Sequence, residues 1–537
     1  MAVTDHLTRA TREVVRPTQQ RTRVGDRRWA TSGLLLAAVV AVAAWLPFLE
    51  RPLSPDESGF LLLAQHWHHG SSLYGDYWVD RPPLLLWLFS LAGHLGPTHV
   101  TSVGVIAPGV KIMGAAASGA AVLLTGVLAR QVAPRSRWSR TAAVVLAAAL
   151  LSSPLLGMPE TNGEVLAVPF VLLGTAGVVA ALRRPWGRTA ALLTAGAGAS
   201  AMAGALVKQN VVDVFVFAAV AAVVLRHRVD RLRARMAGFA AGAVAVLGLA
   251  LAGAWAQGTT VAGLWDAIVV FRLEASDVIG TSASEATSQR MTRTVLAFFT
   301  SGAGVVLAVT LVIATAAVLD RLLHDRRSDA PGVGGTTPSF ASPAAALVAW
   351  ELCAAVLGGS YWLHYLTGVV PGLVTVLALT GRSARPRTPA RRAATLAVAY
   401  TLVAGVAVWA PHATAAVSVS SDAQVITYLR EHAAPGDGVV VGFGHPDIVA
   451  GSGLSSPYEQ LWSLPVRVRD PDLAQLQRVL AGPTAPRWVV VAGDSLETWG
   501  LDPAGTANAQ RYLQRHYRED VTYGDWHIWQ RQEGGAR

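Results

Sequence analysis

The sequence is poor in charge and nearly devoid of cysteine and lysine. Only 15% of its 537 residues are charged, where a soluble domain carries about 25%, and the mean hydropathy is +0.40. This shortage of charge excludes an ordinary soluble protein and indicates a chain immersed in lipid. The single cysteine, Cys353, excludes an intramolecular disulfide. The only lysines, Lys111 and Lys208, lie in or beside apolar segments.

The net charge of +10 comes almost entirely from arginine. These arginines form short clusters between apolar runs rather than one basic stripe, a distribution that argues against a nucleic-acid partner. The first thirty residues are rich in arginine and precede an apolar segment that is too long for the h-region of a signal peptide. We therefore expect a basic cytoplasmic tail at 1–30, followed by a permanent membrane anchor.

Eleven apolar segments are candidates for membrane-spanning helices, judged against the roughly 20 residues that a helix needs to cross the hydrocarbon core. An N-terminus in the cytoplasm would place every large arginine cluster on that side, as the positive-inside rule requires. The sequence thus predicts a mostly α-helical, multi-pass protein of the cell membrane, with its transmembrane domain at 31–411. The predicted spans are 31–49, 100–129, 141–157, 164–182, 189–206, 211–225, 236–256, 295–319, 343–358, 366–380 and 393–411.

Two predicted outer loops are too long to be simple connections. The loop at 50–99 contains a helical pattern capped by Ser54. It also contains an apolar segment behind Pro82-Pro83, which is too short to span and is expected to lie along the interface or re-enter the membrane. The loop at 257–294 includes the polar stretch TSASEATSQ, for which we expect a mobile lid. Residues 412–537 alternate strand-sized runs with helical patterns, which predicts a small extracytoplasmic α/β domain.

Acidic residues close to a membrane are costly and tend to be functional. Asp56 and Glu57 follow Ser54-Pro55 at the start of a predicted helix, where the helix dipole favours a carboxylate and is expected to keep its pKa low. An ionised carboxylate in a cleft can act as a general base toward a hydroxyl or an amine. The alternative is that Ser54, Asp56 and Glu57 only cap and charge the first helical turn. The two interpretations are compatible.

Several other polar groups fall at the same outer level of the predicted topology. Arg81 either pairs with Asp80 or neutralises a phosphate. Lys208 interrupts two apolar runs. Three interpretations are open for it: its side chain snorkels to the membrane surface, it pairs with Asp213, or it binds an anionic lipid headgroup. The other polar residues at this level are Gln209, Glu160, Glu164, Arg272, His364 and Tyr365.

Together these features resemble the GT-C membrane glycosyltransferases, in particular the branch of protein O-mannosyltransferases and aminoarabinose transferases (family 39-like). The resemblance covers roughly 31–411, and 412–537 looks like the C-terminal domain of many actinobacterial relatives. It rests on an Asp-Glu pair after the first span, a basic-Pro-Pro-Leu element, a lysine-glutamine break, and a His-Tyr pair before a proline-containing span. In this sequence they are Asp56 and Glu57; Arg81, Pro82, Pro83 and Leu84; Lys208 and Gln209; and His364, Tyr365 and Pro371.

The resemblance implies an inverting transfer of a hexose or pentose from a polyprenyl-phosphate carrier to a protein, lipid or polysaccharide acceptor on the outer face. It implies Asp56 as the base and Glu57 as the residue that orders the loop. The departing lipid phosphate develops negative charge, which nearby cations must stabilise. The resemblance implies Lys208, Arg81, His364 and Tyr365 as the residues that bind this phosphate. Arg81 departs from the lysine that is usual in the family. The implied cavity residues are Asp80, Gln209, Glu160, Glu164 and Arg272.

The pattern requires no cofactor and no metal, although a divalent cation beside Asp56 and Glu57 is compatible with it. Two other classes of protein stay open. A flippase for lipid-linked sugars predicts polar residues spread through the spans at mid-depth and repeat symmetry between the halves. The sequence shows neither, and Lys111 and Glu351 are the main mid-span exceptions. A non-catalytic assembly protein would need far fewer than eleven spans.

Overall fold

The computed structural model of this chain describes residues 31–281, 285–324, 339–383, 388–496 and 500–532. The predicted cytoplasmic tail at 1–30 lies outside them. The described chain starts with the apolar helix α1, followed by two short helices within the predicted first outer loop and by a β-hairpin at 99–106, so the predicted span 100–129 becomes helical only at Pro108. These elements are α1 (Thr31–Phe48), α2 (Pro55–Gln65), α3 (Pro83–Gly93), β1 (His99–Thr101) and β2 (Gly104–Ile106).

The helices of the predicted membrane region follow in order. Six come before the predicted second outer loop: α4 (Pro108–Val132), α5 (Arg137–Leu151), α6 (Gly163–Leu182), α7 (Arg188–Val207), α8 (Asp213–Leu225) and α9 (Leu232–Ala256). The next three are α10 (Val261–Trp265), α11 (Phe271–Thr281), which a π-helical turn at Asp266–Val270 joins to α10, and α12 (Glu285–Thr300). The last four are α13 (Ala303–His324), α14 (Ala341–Leu357), α15 (Val370–Ser383), preceded by a 3-10 helix at Leu363–Val369, and α16 (Pro389–Thr414).

A helix occupies each of the eleven predicted span positions, and the protein is a multi-pass membrane protein. Seven helices of the described chain are long and apolar enough to cross a membrane. An eighth candidate is the pair α12 and α13, which is bent by 61° at its break. The helices α5, α8 and α14 have only 15, 13 and 17 residues. All three are shorter than the roughly 20 residues that cross the hydrocarbon core of a bilayer, and of the three α5 has the largest share of buried residues.

The C-terminal region is an α/β domain, as predicted. Its mixed four-stranded sheet has the order β3-β4-β6-β5, with β3 and β4 parallel and the other pairs antiparallel. The preceding helix α16 extends to Thr414, past the predicted start of the domain at 412. The elements are α17 (Ser421–His432), β3 (Val439–Gly442), α18 (Pro446–Ser452), α19 (Ser463–Arg469), α20 (Ala474–Ala481), β4 (Trp488–Ala492), α21 (Pro503–His516), β5 (Tyr517–Tyr523) and β6 (Trp526–Arg531).

The described residues between Val261 and Thr294 are helical, including Thr281 and residues 285–289 of the stretch TSASEATSQ, for which a mobile lid stays a prediction. Tertiary contacts hold the segment on both sides of that stretch. Phe271 packs edge-on against Trp78 with 4.7 Å between ring centroids, and the Thr294 hydroxyl donates to the Tyr361 carbonyl at 2.7 Å. Residues 282–284, within the TSASEATSQ stretch, lie outside the described part of the chain.

The C-terminal domain packs directly on the first outer loop, and this contact determines what surrounds α2. One buried apolar cluster contains residues of both regions, among them Phe60 and Leu61 of α2 and Ile448 and Val449 of α18. The Phe60 ring also stacks on Trp462 with 5.6 Å between centroids. The start of α2 is therefore enclosed between the helices of the membrane region and the C-terminal domain.

Candidate active site

Glu57 is the centre of a buried network that fixes the start of α2. Ser54 and Glu57 form a capping box in which the Ser54 amide donates to Glu57 Oε2 at 2.9 Å. The Lys111 ammonium lies 2.7 Å from both carboxylate oxygens of Glu57, and the Thr161 amide donates to Oε1 at 2.7 Å. Glu57 and Lys111 are 1% and 2% exposed. The carboxylate thus joins α2 to α4 and to the loop before α6.

Asp56, the next residue along the chain, faces the C-terminal domain. Its Oδ1 accepts a hydrogen bond of 2.8 Å from the indole Nε1 of Trp462. Burial and the nearby carboxylate of Glu160 raise the pKa of Asp56, against the opposing effects of Arg81, Trp462 and His364. The expectation of a low pKa at the helix N-terminus is therefore wrong. The loss of hydration and the like charge of Glu160 exceed the effect of the dipole.

Arg81 lies among carboxylates where α3 begins. Its Nη1 donates to Asp80 Oδ1 at 2.8 Å, and Asp80 Oδ2 lies 3.1 Å from Arg272 Nη1. Burial alone would raise the pKa of Asp80, but Arg81 and Arg272 lower it. The Asp80 carbonyl also accepts from Gln209 Nε2 at 3.0 Å. Burial would lower the pKa of Arg81, but Asp80 and Asp56 raise it, so the guanidinium stays charged.

Glu160 connects the cap of α2 to His364. Its Oε1 accepts from the Ser54 hydroxyl at 3.0 Å, and its Oε2 lies 3.2 Å from His364 Nδ1. Burial alone would raise the pKa of Glu160, but His364 and the Ser54 hydroxyl lower it. His364 belongs to the 3-10 helix at Leu363–Val369. This contact therefore joins a late segment of the predicted transmembrane domain to the start of α2.

Lys208 completes the cationic side of the site. Its ammonium pairs with Glu164, the first acidic residue of α6, and lies 4.3 Å from the centroid of the Tyr365 ring. The side chain is 6% exposed. The alternatives of snorkelling and of a pair with Asp213 are both wrong, because Glu164 is within reach of the buried amine and satisfies its charge.

All eleven predicted site residues belong to one connected region of the described structure. Electrostatic interactions link Asp56 with Glu160, Arg81 and His364. The ring centroids of His364 and Tyr365 are 5.0 Å apart. Five carboxylates, two arginines, a lysine and a histidine thus share a small buried volume. Such a set can hold a phosphate against its cations and leave a carboxylate to accept a proton.

Two residues of this region were not among the predicted site residues. Lys111 was noticed only as a charge inside a predicted span, and the cost of an unpaired buried ammonium implies a nearby acid without identifying it. Trp462 lies 406 residues from its partner Asp56. Nothing in the local sequence around Trp462 indicates the contact, which the packing of the C-terminal domain creates.

The geometry does not favour a cation held between Asp56 and Glu57. Both oxygens of Glu57 already face the Lys111 ammonium, which would repel a metal ion. In the described part of the chain, the residues that could converge on a metal are Asp422, His445 and Asp447 of the C-terminal domain, outside this site. A carboxylate such as that of Asp56 can act as a base without a metal.

Two solved structures share the overall fold at low sequence identity. ArnT from Cupriavidus metallidurans, solved bound to undecaprenyl phosphate, matches with a TM-score of 0.54 and 11% identity over 93% of this chain and 97% of the other. The oligosaccharyltransferase of Archaeoglobus fulgidus, solved with Zn and sulfate, matches with a TM-score of 0.52 and 15% identity over 86% of this chain and 68% of the other. No protein-family model and no curated protein matches the sequence. The chain is therefore a polytopic membrane protein with the GT-C fold of membrane glycosyltransferases.

Proposed function

We propose that this protein is a glycosyltransferase that moves a sugar from a polyprenyl-phosphate carrier to an acceptor outside the cytoplasm, with inversion at the anomeric carbon. The observation that carries the proposal is the convergence of Asp56 with Arg81, Lys208 and His364 at one buried site. The fold shared with ArnT, a protein solved with undecaprenyl phosphate bound, supports this choice of donor.

Asp56 is the proposed general base. The Trp462 indole donates a hydrogen bond to Oδ1 of this carboxylate. Oδ2 therefore takes the proton from the hydroxyl or amine of the molecule that receives the sugar. The acceptor atom attacks the anomeric carbon from the face opposite the phosphate, the bond from that carbon to the phosphate oxygen breaks, and its electron pair leaves with the lipid phosphate. One displacement inverts the configuration. The raised pKa of Asp56 makes the carboxylate a stronger base than an ordinary aspartate.

The donor phosphate is proposed to bind between Arg81 and Lys208. Only Nη1 of Arg81 is used in its contacts with Asp80 in the described structure, so Nε and Nη2 can bind two phosphate oxygens as a fork. His364 donates from Nδ1 to the Glu160 carboxylate, and its Nε2 can donate as well when the ring is a protonated imidazolium. The lysine that is usual in the family would offer a point charge, whereas Arg81 offers this fork. Tyr365 lies under the Lys208 ammonium and supports its position.

The remaining site residues are proposed to position these groups. Glu57 holds the first turn of α2, Asp80 and Glu164 orient the two phosphate-binding cations, and Arg272, Gln209 and Glu160 line the cavity. We propose a cytoplasmic N-terminal tail at 1–30, a transmembrane domain at 31–411 and an extracytoplasmic domain at 412–537 that borders the acceptor site. The acceptor is a protein, a lipid or a polysaccharide, and no nucleic acid takes part.

The test is turnover by the purified protein in liposomes that contain polyprenyl-phosphate hexoses and pentoses. We expect Asp56→Asn to lower kcat by about 100-fold or more, because it removes the base and keeps the shape of the side chain. Asp76→Asn is the matched control, since Asp76 lies in the same loop with a side chain that is 53% exposed. Undiminished transfer by Asp56→Asn would contradict the assignment of the base. Movement of the lipid without transfer from any donor would favour a flippase.

A further inference from the structure

Three potential metal ligands converge in the C-terminal domain. Asp422, His445 and Asp447 each offer one ligand atom, and these atoms lie within 4.8 Å of one another. His445 Nδ1 is 3.3 Å from Asp422 Oδ2 and 3.7 Å from Asp447 Oδ1. Neighbouring ligands of a tetrahedral cation with bonds of about 2.0–2.2 Å lie about 3.3–3.6 Å apart. The two measured spacings are close to that range.

The fold brings these residues together from two places in the sequence. Asp422 lies in the first turn of α17, which Ser420 caps. His445 and Asp447 lie on either side of Pro446, the first residue of α18, just after β3. The Trp526 indole donates to Asp422 Oδ1 at 2.6 Å, so that Oδ2 faces His445. Metal-binding carboxylates are commonly held in this way by a donor on their other oxygen.

The ligand atoms also have unmet bonding capacity. Asp447 is only 7% exposed, yet its Oδ1 makes no hydrogen bond with the described residues, and the nearest partner of His445 Nδ1 is the Asp422 carboxylate at 3.3 Å. A buried polar atom without a partner costs about 1–3 kcal/mol, and such atoms are rare in native proteins. A cation between Asp447 Oδ1 and His445 Nδ1 would bind both. The alternative is an ion triad in which a protonated His445 faces two carboxylates.

We propose that Asp422, His445 and Asp447 bind a divalent transition-metal cation of the Zn²⁺ class. The imidazole nitrogen selects this class over Mg²⁺ and Ca²⁺, which prefer sites made of oxygen ligands alone. The two carboxylates balance the charge of the ion. The side chains of His445 and Asp422 are 35% and 25% exposed, which gives a water molecule access as the fourth ligand.

The ion would hold the turn before α18 against α2. A Cβ atom on Gly59 of α2 would lie 2.7 Å from Cγ of Pro446, so the residue between the two metal ligands is in close contact with that helix. Trp462, which bonds to Asp56, approaches Gly59 from the same side. The metal is thus a positioning element of the C-terminal domain, and its existence does not depend on the proposed sugar transfer.

The test is Zn²⁺ binding by the full-length protein, purified in detergent and stripped with a chelator. We expect calorimetry to show one high-affinity Zn²⁺ per chain and Zn²⁺ to raise the unfolding temperature. Asp447→Asn and His445→Ala should each weaken binding by at least about tenfold, because each removes one of three protein ligands. Ca²⁺ should bind more weakly than Zn²⁺.

His527→Ala is the matched control within the same domain. His527 also faces two carboxylates, but its Nδ1 lies 2.7 Å from Glu519 while its Nε2 lies 3.7 Å from Asp494, so its two partners do not converge. We expect this variant to bind Zn²⁺ as the wild type does. Asp447→Asn keeps the side-chain shape, and its elution in gel filtration reports whether it folds. If His445→Ala does not fold, Trp526→Phe replaces it and should also weaken binding. No stoichiometric Zn²⁺, or equal binding by wild type and Asp447→Asn, would overturn the proposal.

Discussion

Asp56 and Glu57 are adjacent in the chain, but their side chains have different surroundings. Both oxygens of Glu57 are engaged by Lys111, with further hydrogen bonds from the Thr161 and Ser54 amides. Within the described structure the Asp56 side chain accepts one hydrogen bond, from Trp462. Glu57 has no capacity left for a substrate, whereas Asp56 has an oxygen to offer. This contrast supports the proposed division between a positioning residue and a base.

Loss of one member of the buried Glu57–Lys111 pair should strongly destabilise the protein. Glu57→Gln leaves an ammonium without its counter-charge in a buried site, which costs about 3–5 kcal/mol. Lys111→Met has a comparable cost. The double variant should lose less than the sum of the two, because neither isolated charge remains. The thermal unfolding midpoint in detergent measures this, with the exposed Asp76→Asn as a control. Additive effects of the two substitutions would contradict the pairing.

The acid limb of the pH–rate profile should report the ionisation of Asp56. A base must be deprotonated, so activity falls as the pH drops through the pKa of this residue. Because burial and Glu160 raise that pKa, we expect the limb above the ordinary range of an aspartate. Trp462→Phe removes a hydrogen bond that favours the carboxylate, so the limb should move to higher pH. Trp529→Phe, in the same domain, should leave it in place. An unchanged limb in Trp462→Phe would contradict the assignment.

At the scale of elements, the feature that organises the site is the close contact of α2 with the C-terminal domain. Gly59 makes this possible, because a Cβ atom there would lie 2.4 Å from Cζ2 of Trp462 and 2.7 Å from Cγ of Pro446. The indole and the proline ring are rigid, so neither can move aside without shifting its backbone. The absence of a side chain at Gly59 therefore allows Trp462 to reach Asp56.

Gly59→Ala should separate α2 from the C-terminal domain. We expect a loss of about 1–3 kcal/mol from overpacking and a clear fall in transfer, because the Trp462–Asp56 bond lengthens. Gly248→Ala is a matched control in a membrane helix, since nothing lies within 4 Å of a Cβ atom at that position. Unfolding temperature and turnover measure the two effects. If Gly59→Ala has the unfolding temperature and turnover of the wild type, the contact between α2 and the C-terminal domain is looser than described.

At the scale of the whole molecule, the orientation in the membrane determines which compartment the site faces. The arginine clusters predict a cytoplasmic N-terminus. An odd number of spans would then place the C-terminal domain on the opposite side. The contacts between Trp462 and Asp56 and between Arg469 and Asp266 put this domain on the same face of the protein as the site. The proposed acceptor side therefore depends on the orientation.

Cysteine accessibility in intact cells should test the orientation. The chain has one cysteine, so Cys353→Ala provides a cysteine-free background. We expect a membrane-impermeant maleimide to label Asp494→Cys, at a fully exposed side chain of the C-terminal domain. Arg228→Cys, in a predicted cytoplasmic loop, should be labelled only after the membrane is permeabilised. The reverse pattern would invert the topology and move the site to the cytoplasm.

The sequence by itself determined the class of the protein and most of its elements. The length of an apolar segment and the placement of arginines reflect whether a stretch of chain lies in lipid or in water, so both can be read from the sequence. They predicted helices at all eleven span positions and a separate α/β domain. The capping box of Ser54 and Glu57 was readable because it spans only one helical turn. Residue type and predicted topology made Asp56, Arg81, Lys208 and His364 candidates, and the resemblance to the GT-C glycosyltransferases gave them their expected roles.

Only the tertiary structure decided the partners of these residues. The distances in sequence are large: Glu160 meets His364 across 204 positions and Trp462 meets Asp56 across 406. No local pattern encodes such contacts, because they depend on how whole helices pack. The same holds for the pKa of Asp56, since burial by a distant domain outweighs the local dipole. The contacts that hold 261–281 and 285–294, such as those of Phe271 with Trp78 and of Thr294 with Tyr361, likewise depend on packing between distant segments.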